Sequence, residues 1–460
     1  MAEYDLIVIG SGPGGYVAAI RAAQLGMKTA IVEKSEIGGV CLNWGCIPSK
    51  ALIRNAEIVN LLGRADEFGI ELSGISYDFG KAIDRSRKVV KKLTNGVEFL
   101  LKKNNVDCFQ EKAVLEDINT VNLINADKKL TGNNIIIASG ARPRDIPNLT
   151  IDRKIVITSR EALEFKNVPE RVVIIGGGAV GVEFGYVYSQ YGAEVTIVEL
   201  EPRIVPSEDK EISSYLQKSL EKYGIKVKTN TRFEKIQVEN DEATITIVED
   251  GENTVIKAGR VLVAVGMTGN IERLGLENIG IEVNKGYINV DANMQTNKQG
   301  IYAIGDVTGK MLLAHVASAQ GVYAVEHIMG NTPASIDYDL MPRAIYCHPQ
   351  VASFGLTETQ AREKGYEINV GRFPFSASGK AIAMAETDGM IKIVAEKEIG
   401  DILGVHMIGS EVTELLGEIG MARMLESTTE ELGWLTHPHP TISEVIKEAA
   451  LDVQGGAVHI

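Results

Sequence analysis

Short apolar runs that stop at a glycine recur along this chain of 460 residues. Leu6-Ile7-Val8-Ile9 meets Gly10, Ile135-Ile136-Ile137-Ala138-Ser139 meets Gly140, and Val261-Leu262-Val263-Ala264-Val265 meets Gly266. Runs this short, bounded by glycine turns, predict strands buried on both faces, as in a parallel sheet. Gly300 to Asp306 has the same form and delivers a carboxylate at its end. Residues from about 52 to 130 predict helices with basic faces, richest from Lys81 to Lys103, and then short strands. From about Asp337 strands alternate with two amphipathic helices, Thr357 to Lys364 and Glu411 to Glu426, which predicts a separate α+β domain.

The pattern contains a repeat. Asp5 to Glu33 reads strand, Gly10-x-Gly12-x-Gly14-Gly15, helix, Gly26, strand, acid, and Arg171 to Glu199 reads strand, Gly176-x-Gly178-x-x-Gly181, helix, Gly192, strand, acid. In both copies the glycine after the helix stands 16 residues beyond the first glycine, and the acid 23. Each copy predicts a βαβ dinucleotide-binding unit, in which glycines allow a tight turn and the helix N-terminus faces a pyrophosphate. Glu33 and Glu199 are then placed to accept hydrogen bonds from an adenosine ribose. A lone glycine motif is also what a merely tight strand-to-helix turn looks like; the duplicate, with strands and acids in register, argues against coincidence.

Composition narrows the partners. A chain of this length is expected to divide into three or four domains. With 45% hydrophobic and 23% charged residues it reads as a soluble α/β protein. A formal charge of -14 disfavours nucleic acid and anionic membranes, which reward clustered Lys and Arg. The start, Met1 to Asp5 followed by Leu6 to Gly10, lacks a basic leader and reads directly as a strand, and no apolar run reaches spanning length, so no membrane and a cytoplasmic location are expected.

Candidate chemistry centres on sulfur. Cys41-Leu42-Asn43-Trp44-Gly45-Cys46 sets two thiols four residues apart behind the first glycine turn. Such a pair can close a small disulfide loop if the backbone bends, can be two unrelated buried thiols, or can bind a metal. No second Cys/His cluster lies nearby to complete a zinc site, so no metal is expected. Ile47-Pro48-Ser49-Lys50 begins a helix, and Lys50 could set a cation near the thiols, favouring thiolate. Cys108 and Cys347 stand alone and read as packing residues. In His437-Pro438-His439-Pro440-Thr441-Ile442-Ser443-Glu444, Thr441 and Glu444 predict a capping box that starts the last helix. The same segment offers His439 as a general base with Glu444 orienting its ring. His437 reads as a turn residue, and His315, His327, His348, His406 and His459 as structural or surface residues.

Gly10-Ser11-Gly12-Pro13-Gly14-Gly15, Cys41 to Lys50, Gly305-Asp306 and His439-Pro440-Thr441, in that order, resemble the pyridine nucleotide disulfide oxidoreductases over essentially the whole chain. The resemblance implies an α/β fold with two Rossmann-like dinucleotide-binding domains and a C-terminal α+β dimerisation domain. It implies FAD held by Gly10, Gly12, Gly14, Gly15, Glu33, Lys50 and Gly140, with Asp306 on the ribityl chain and the helix N-terminus at Ala314 against the flavin ring. It implies NAD on Gly176, Gly178, Gly181, Glu199 and Gly266, with Glu183 beside the nicotinamide and paired with Lys50. The implied boundaries are 1–145 for FAD, 146–270 for NAD, 271–336 completing the FAD site and 337–460 for the interface.

The implied chemistry is a redox-active Cys41–Cys46 disulfide served by His439 and Glu444 from the other chain of a homodimer. Within the family the pattern is most similar to the members that oxidise dihydrolipoamide with NAD. Their substrate rides on another protein, an acyltransferase lipoyl domain or the lipoyl protein of glycine cleavage, within 2-oxoacid dehydrogenase or glycine cleavage complexes. Trp44 and Pro438 depart from the usual small residues. The rival readings are a glutathione-type reductase and a mainly structural flavin-bearing subunit. The former favours NADPH and basic residues where this chain has Val198-Glu199-Leu200-Glu201, whose charges repel a 2′-phosphate.

Overall fold

The computed structural model describes residues 2–460. They form two compact units, one of residues 2–52, 80–146 and 266–336, the other of residues 53–79, 147–265 and 337–460.

In the first unit the buried strand Tyr4–Ile9 pairs in parallel with Thr29–Glu33 on one side and Lys128–Ile137 on the other. Asp107–Gln110 extends the sheet beyond Thr29–Glu33, and Ile301–Ala303 pairs in parallel with Ile135 to Ile137. The apolar run at 300–306 is therefore a strand of this sheet, as its pattern predicts, although regular pairing stops at Ala303 and Asp306 sits in the short 3-10 helix Gly305–Thr308. The helix Pro13–Gln24 packs closely on Ala314–Ile328: a Cβ on Gly14 would stand 3.0 Å from Ala317 O, and one on Gly321 would stand 2.7 Å from Gly14 O. The basic stretch predicted as helix forms Phe79–Lys103.

The second unit repeats the arrangement. Lys226–Lys228, Glu194–Val198, Arg171–Ile175, Arg260–Val263 and Val156–Ile157 lie side by side, all parallel. The order of strands around the first βαβ element is thus the same in both copies, and it places each glycine turn at the carboxyl end of its sheet. An antiparallel sheet follows in the order Arg343–Ile345, Gln350–Gly355, Ile402–Gly409, Met390–Glu396, Ile368–Pro374. Its core joins Phe354, Phe373, Ile391, Ile393, Val405 and Met407 to Ile419, Val445 and Ile446 of the covering helices. The two amphipathic stretches form Glu358–Glu363 and Val412–Met424.

Candidate active site

The two glycine turns are built alike. Gly10 has φ +102° and Gly176 φ +106°, and a Cβ on either would stand 2.3 Å from a carbonyl of the neighbouring strand, Ala138 O or Ala264 O. Only glycine permits that approach. A Cβ on Gly15 or Gly181 would strike the carbonyl of the first glycine at 1.9 and 2.0 Å. By contrast, nothing lies within 4 Å of a Cβ built on Gly12 or Gly178, each the residue before its helix. Those two face open space, and neither helix start has a side-chain cap, so amides there are available to a phosphate.

The acids complete the cradles. Glu33 Oε2 accepts from Ser11 N at 2.8 Å and Ser11 Oγ at 2.7 Å, while Oε1 accepts from Ser35 N at 2.8 Å. Glu199 Oε2 accepts from Gly177 N at 2.6 Å and Oε1 from Glu201 N at 2.8 Å. Both carboxylates are locked beside their turns, where ribose hydroxyls would meet them. Gly140 and Gly266 also take positive φ, +71° and +92°, and the Gly140 carbonyl accepts from Asn270 N at 2.9 Å.

Asp306 supports an FAD site most directly. Burial pushes its carboxyl up to about 6, and no side-chain hydrogen bond to it is formed among the described residues. A half-buried acceptor without a donor suits a ligand rich in hydroxyls. The helix Ala314–Ile328 begins at the expected residue with no side-chain cap.

Cys41 lies on the helix Gly39–Trp44 and Cys46 opens the helix Cys46–Gly63, so Gly45 provides the bend between them. The loop before them grips the first glycine turn: Gly38 N donates to Ser11 O at 3.0 Å. Asn43 Nδ2 ties the loop internally, to Ile37 O at 3.0 Å and Gly39 O at 2.9 Å. Both sulfurs are half-buried thiols here. A hydrogen bond to Cys46 and burial raise the Cys41 thiol, and Lys50 works the other way. The charge of Lys50 thus acts on the Cys41 sulfur in the direction that favours thiolate. Trp44 packs under Arg87, whose guanidinium is 4.8 Å from the ring centroid and which donates to Asn43 O at 2.7 Å.

In the second unit His439 Nδ1 is 2.9 Å from Glu444 Oε1, and the ring is 78% exposed in the single chain. Glu444 Oε2 accepts from Thr441 N at 2.8 Å. Burial opposes charge on Glu444, but Thr441 N and His439 outweigh it and hold its carboxyl below the usual range. The predicted capping box needs correcting. Only its reach-back half exists, because Thr441 Oγ1 donates to Pro438 O at 2.8 Å and the helix Glu444–Asp452 begins three residues later. His437 is more than a turn residue, since its Nε2 pairs with Glu418 Oε1 at 2.8 Å.

Glu183 is buried on the helix Ala179–Gln190, and its Oε1 accepts from Tyr346 N at 3.0 Å, a contact with no signal in the sequence. Lys50 and Glu183 fall in different units. Among the described residues no cluster of three or more His, Cys, Asp or Glu could hold a metal, and no helix is long and apolar enough to cross a membrane.

Residues 4–321 match the family described as pyridine nucleotide-disulphide oxidoreductase, and residues 341–450 match its dimerisation domain. The chain is 44% identical to a dihydrolipoyl dehydrogenase of Bacillus subtilis, covering 99% of each. It is 48% identical to one of Chlorobaculum parvum, covering 98% of this chain and 97% of that one. Among solved structures, LpdA from Mycobacterium tuberculosis superposes with a TM-score of 0.90 at 25% identity, covering 97% of this chain and 99% of that one. The HOCl-induced flavoprotein disulfide reductase RclA from Escherichia coli gives 0.88 at 27% identity, with the same coverage.

Proposed function

Because the chain belongs to the pyridine nucleotide-disulphide oxidoreductase family, we propose that it oxidises dihydrolipoamide to lipoamide with FAD as resident cofactor and NAD as acceptor. The observation that carries this reading is the thiol pair whose loop, through Gly38, holds the first glycine turn. FAD, held by the first glycine turn, Glu33 and Asp306, would supply a two-electron redox centre between the sulfur pair and NAD.

The side chains supply the rest. With Nδ1–H held by Glu444, His439 keeps the Nε2 lone pair to take a proton from a dihydrolipoamide thiol. The substrate thiolate attacks Cys41 of the oxidised pair; a substrate–Cys41 bond forms and the Cys41–Cys46 bond breaks, its electron pair remaining on Cys46. The second substrate thiol displaces Cys41 as the lipoamide ring closes, its proton passing to the departing Cys41 sulfur while His439 keeps the first. Two electrons now rest on the pair, and the Lys50 charge, which favours thiolate at Cys41, offsets the negative charge.

In this reading residues 1–145 bind FAD, 146–270 bind NAD, 271–336 complete the FAD site through Asp306 and the amides at Ala314, and 337–460 pair two copies. Gly10, Gly12, Gly14, Gly15, Glu33 and Gly140 serve FAD; Gly176, Gly178, Gly181, Glu183, Glu199 and Gly266 serve NAD. The exposed His439–Glu444 pair, on the stretch matched to the dimerisation domain, acts in the other copy's site. The natural substrate is a lipoyl group on another protein of the cytoplasm.

Steady-state rates test the reading. Dihydrolipoamide with NAD should turn over rapidly, and glutathione disulfide with NADPH only at background. The reverse ranking would make the chain a thiol-producing reductase instead.

A further inference from the structure

We propose that a buried ion cluster around Lys392 is a positioning device for NAD, holding a strained turn at Val205 against the glycine loop of the second repeat. The inference deepens the NAD role given to that repeat and rests on it. All the residues involved lie within one compact unit.

Both repeats hold the residue after the first glycine at two points. Ser11 N donates to Glu33 at 2.8 Å, and Ser11 O accepts from Gly38 N at 3.0 Å. In the second copy Gly177 N donates to Glu199 at 2.6 Å, and Gly177 O accepts from Val205 N at 2.8 Å. A trans peptide sets its C=O and N–H in opposite directions. Fixing the Gly177 carbonyl on Val205 therefore aims the Gly178 N–H away from the loop, at the side kept open for a pyrophosphate.

The gripping residue differs between the copies. Gly38 takes φ +94°, which costs a glycine little, whereas Val205 takes φ +40°, where a β-branched residue is strained. Such a conformation persists when its surroundings over-determine it. Ile204, fully buried, gives its carbonyl to Ser213 Oγ at 2.6 Å, and its Cγ2 lies 2.8 Å from where a Gly177 Cβ would stand. Beyond Val205 the chain runs into Glu208 and Asp209, both buried.

The C-terminal sheet holds those two acids from behind. Asp209 caps the helix Lys210–Lys222 by accepting from Glu211 N at 3.0 Å, and lies 2.9 Å from Lys392 Nζ. Lys392, 3% exposed on the strand Met390–Glu396, also meets Glu358 at 2.9 Å and Glu211 at 3.2 Å. Glu208 faces Arg343 Nε at 3.3 Å, and that nitrogen also donates to Ser353 Oγ at 3.1 Å. Burial opposes charge on Lys392, yet the carboxylates outweigh it and raise its pKa, so the ammonium persists. Without Lys392 the buried Asp209 charge loses its closest cation, and the first place for the loop to yield is the strained residue. The side chains of this cluster act on NAD only through the loop.

Lys392→Met in the flavin-loaded enzyme is the test. It should raise KM for NAD and the calorimetric Kd of ADP-ribose together, by about ten-fold, the scale of one such backbone strain. The rate at which dihydrolipoamide reduces the enzyme without NAD should not change. Adding Val205→Gly should bring both constants back to within about three-fold of wild type, because glycine takes this φ freely; a generally loosened protein gains no such rescue. If Lys392→Met fails to fold, Asp209→Asn keeps the helix cap and should still weaken ADP-ribose about three-fold, on the order of one weakened charged hydrogen bond. An unchanged Kd in either folded variant overturns the proposal, as does a raised Kd that Val205→Gly leaves raised. A wild-type enzyme that ignores ADP-ribose overturns the NAD reading beneath it, and the proposal with it.

Discussion

Replacing Asp306 with asparagine separates a carboxylate kept for a ligand from one kept for the fold. In the flavin-free protein burial pushes this carboxyl up to about 6 from an ordinary 3.8. The folded chain therefore holds a proton through a pH range in which the unfolded chain has released it. Stability from this group is complete below about pH 4 and is lost as pH rises through about 6. A gap of about two pKa units corresponds to about 3 kcal/mol as an upper bound. Asparagine keeps the shape and removes the titration. Asp306→Asn should match wild type at pH 4 and be more stable by up to about 3 kcal/mol at pH 8, read from urea midpoints of flavin-free protein. FAD binding should weaken at the same time, because a charged acceptor is worth about 1.5–3 kcal/mol per hydrogen bond, or roughly ten- to hundred-fold in Kd. A stability gain equal at both pH values would mean a packing effect, and unchanged FAD affinity would remove Asp306 from the site.

Other substitutions sort the remaining residues. Gly178→Ala meets no protein atom and should leave the melting temperature within about 1 °C while weakening NAD at least ten-fold by crowding the pyrophosphate; Gly176→Ala, driven into Ala264 O, should destabilise by about 3 kcal/mol or more in thermal melts. Glu199→Gln with Glu201→Arg should narrow the preference for NAD over NADP in kcat/KM, since a carboxylate facing a 2′-phosphate is costly and an arginine grips it; equal use of both by wild type would contradict the role of Glu199. Cys41→Ser and His439→Gln, each nearly inactive alone, should on co-expression regain roughly a quarter of wild-type activity, because half of randomly paired dimers carry one intact shared site. No recovery in verified mixed dimers would mean that each site is built within one chain.

What the sequence disclosed depended on how local the physics was. The βαβ repeats were legible because a strand, a tight turn and a helix must share about 30 residues, and steric demand leaves only glycine at Gly10 and Gly176. His439 and Glu444 were legible for the same reason, being five residues apart on one turn. The capping box misled because Thr441 can bond backward to Pro438 as well as forward, and the pattern does not distinguish the two. Asp209 and Lys392 are 183 positions apart, as Glu183 and Tyr346 are 163 apart, and no periodicity links such pairs. The strain at Val205 was hidden too, since a valine carries no turn signal; only the backbone shows it doing what Gly38 does in the first repeat.

The central claim, a thiol pair with unequal partners beside FAD, is tested most directly by the visible spectra of flavin-loaded Cys41→Ser and Cys46→Ser. Because Cys41 is the sulfur attacked by substrate, Cys46, left with the electron pair, is the one expected against the flavin, and in Cys41→Ser it can no longer be tied up in a disulfide. That variant should show a long-wavelength thiolate–flavin band without added reductant, and Cys46→Ser should show none after reduction. A band that survives in Cys46→Ser would contradict the account, because the two sulfurs would then have their roles exchanged.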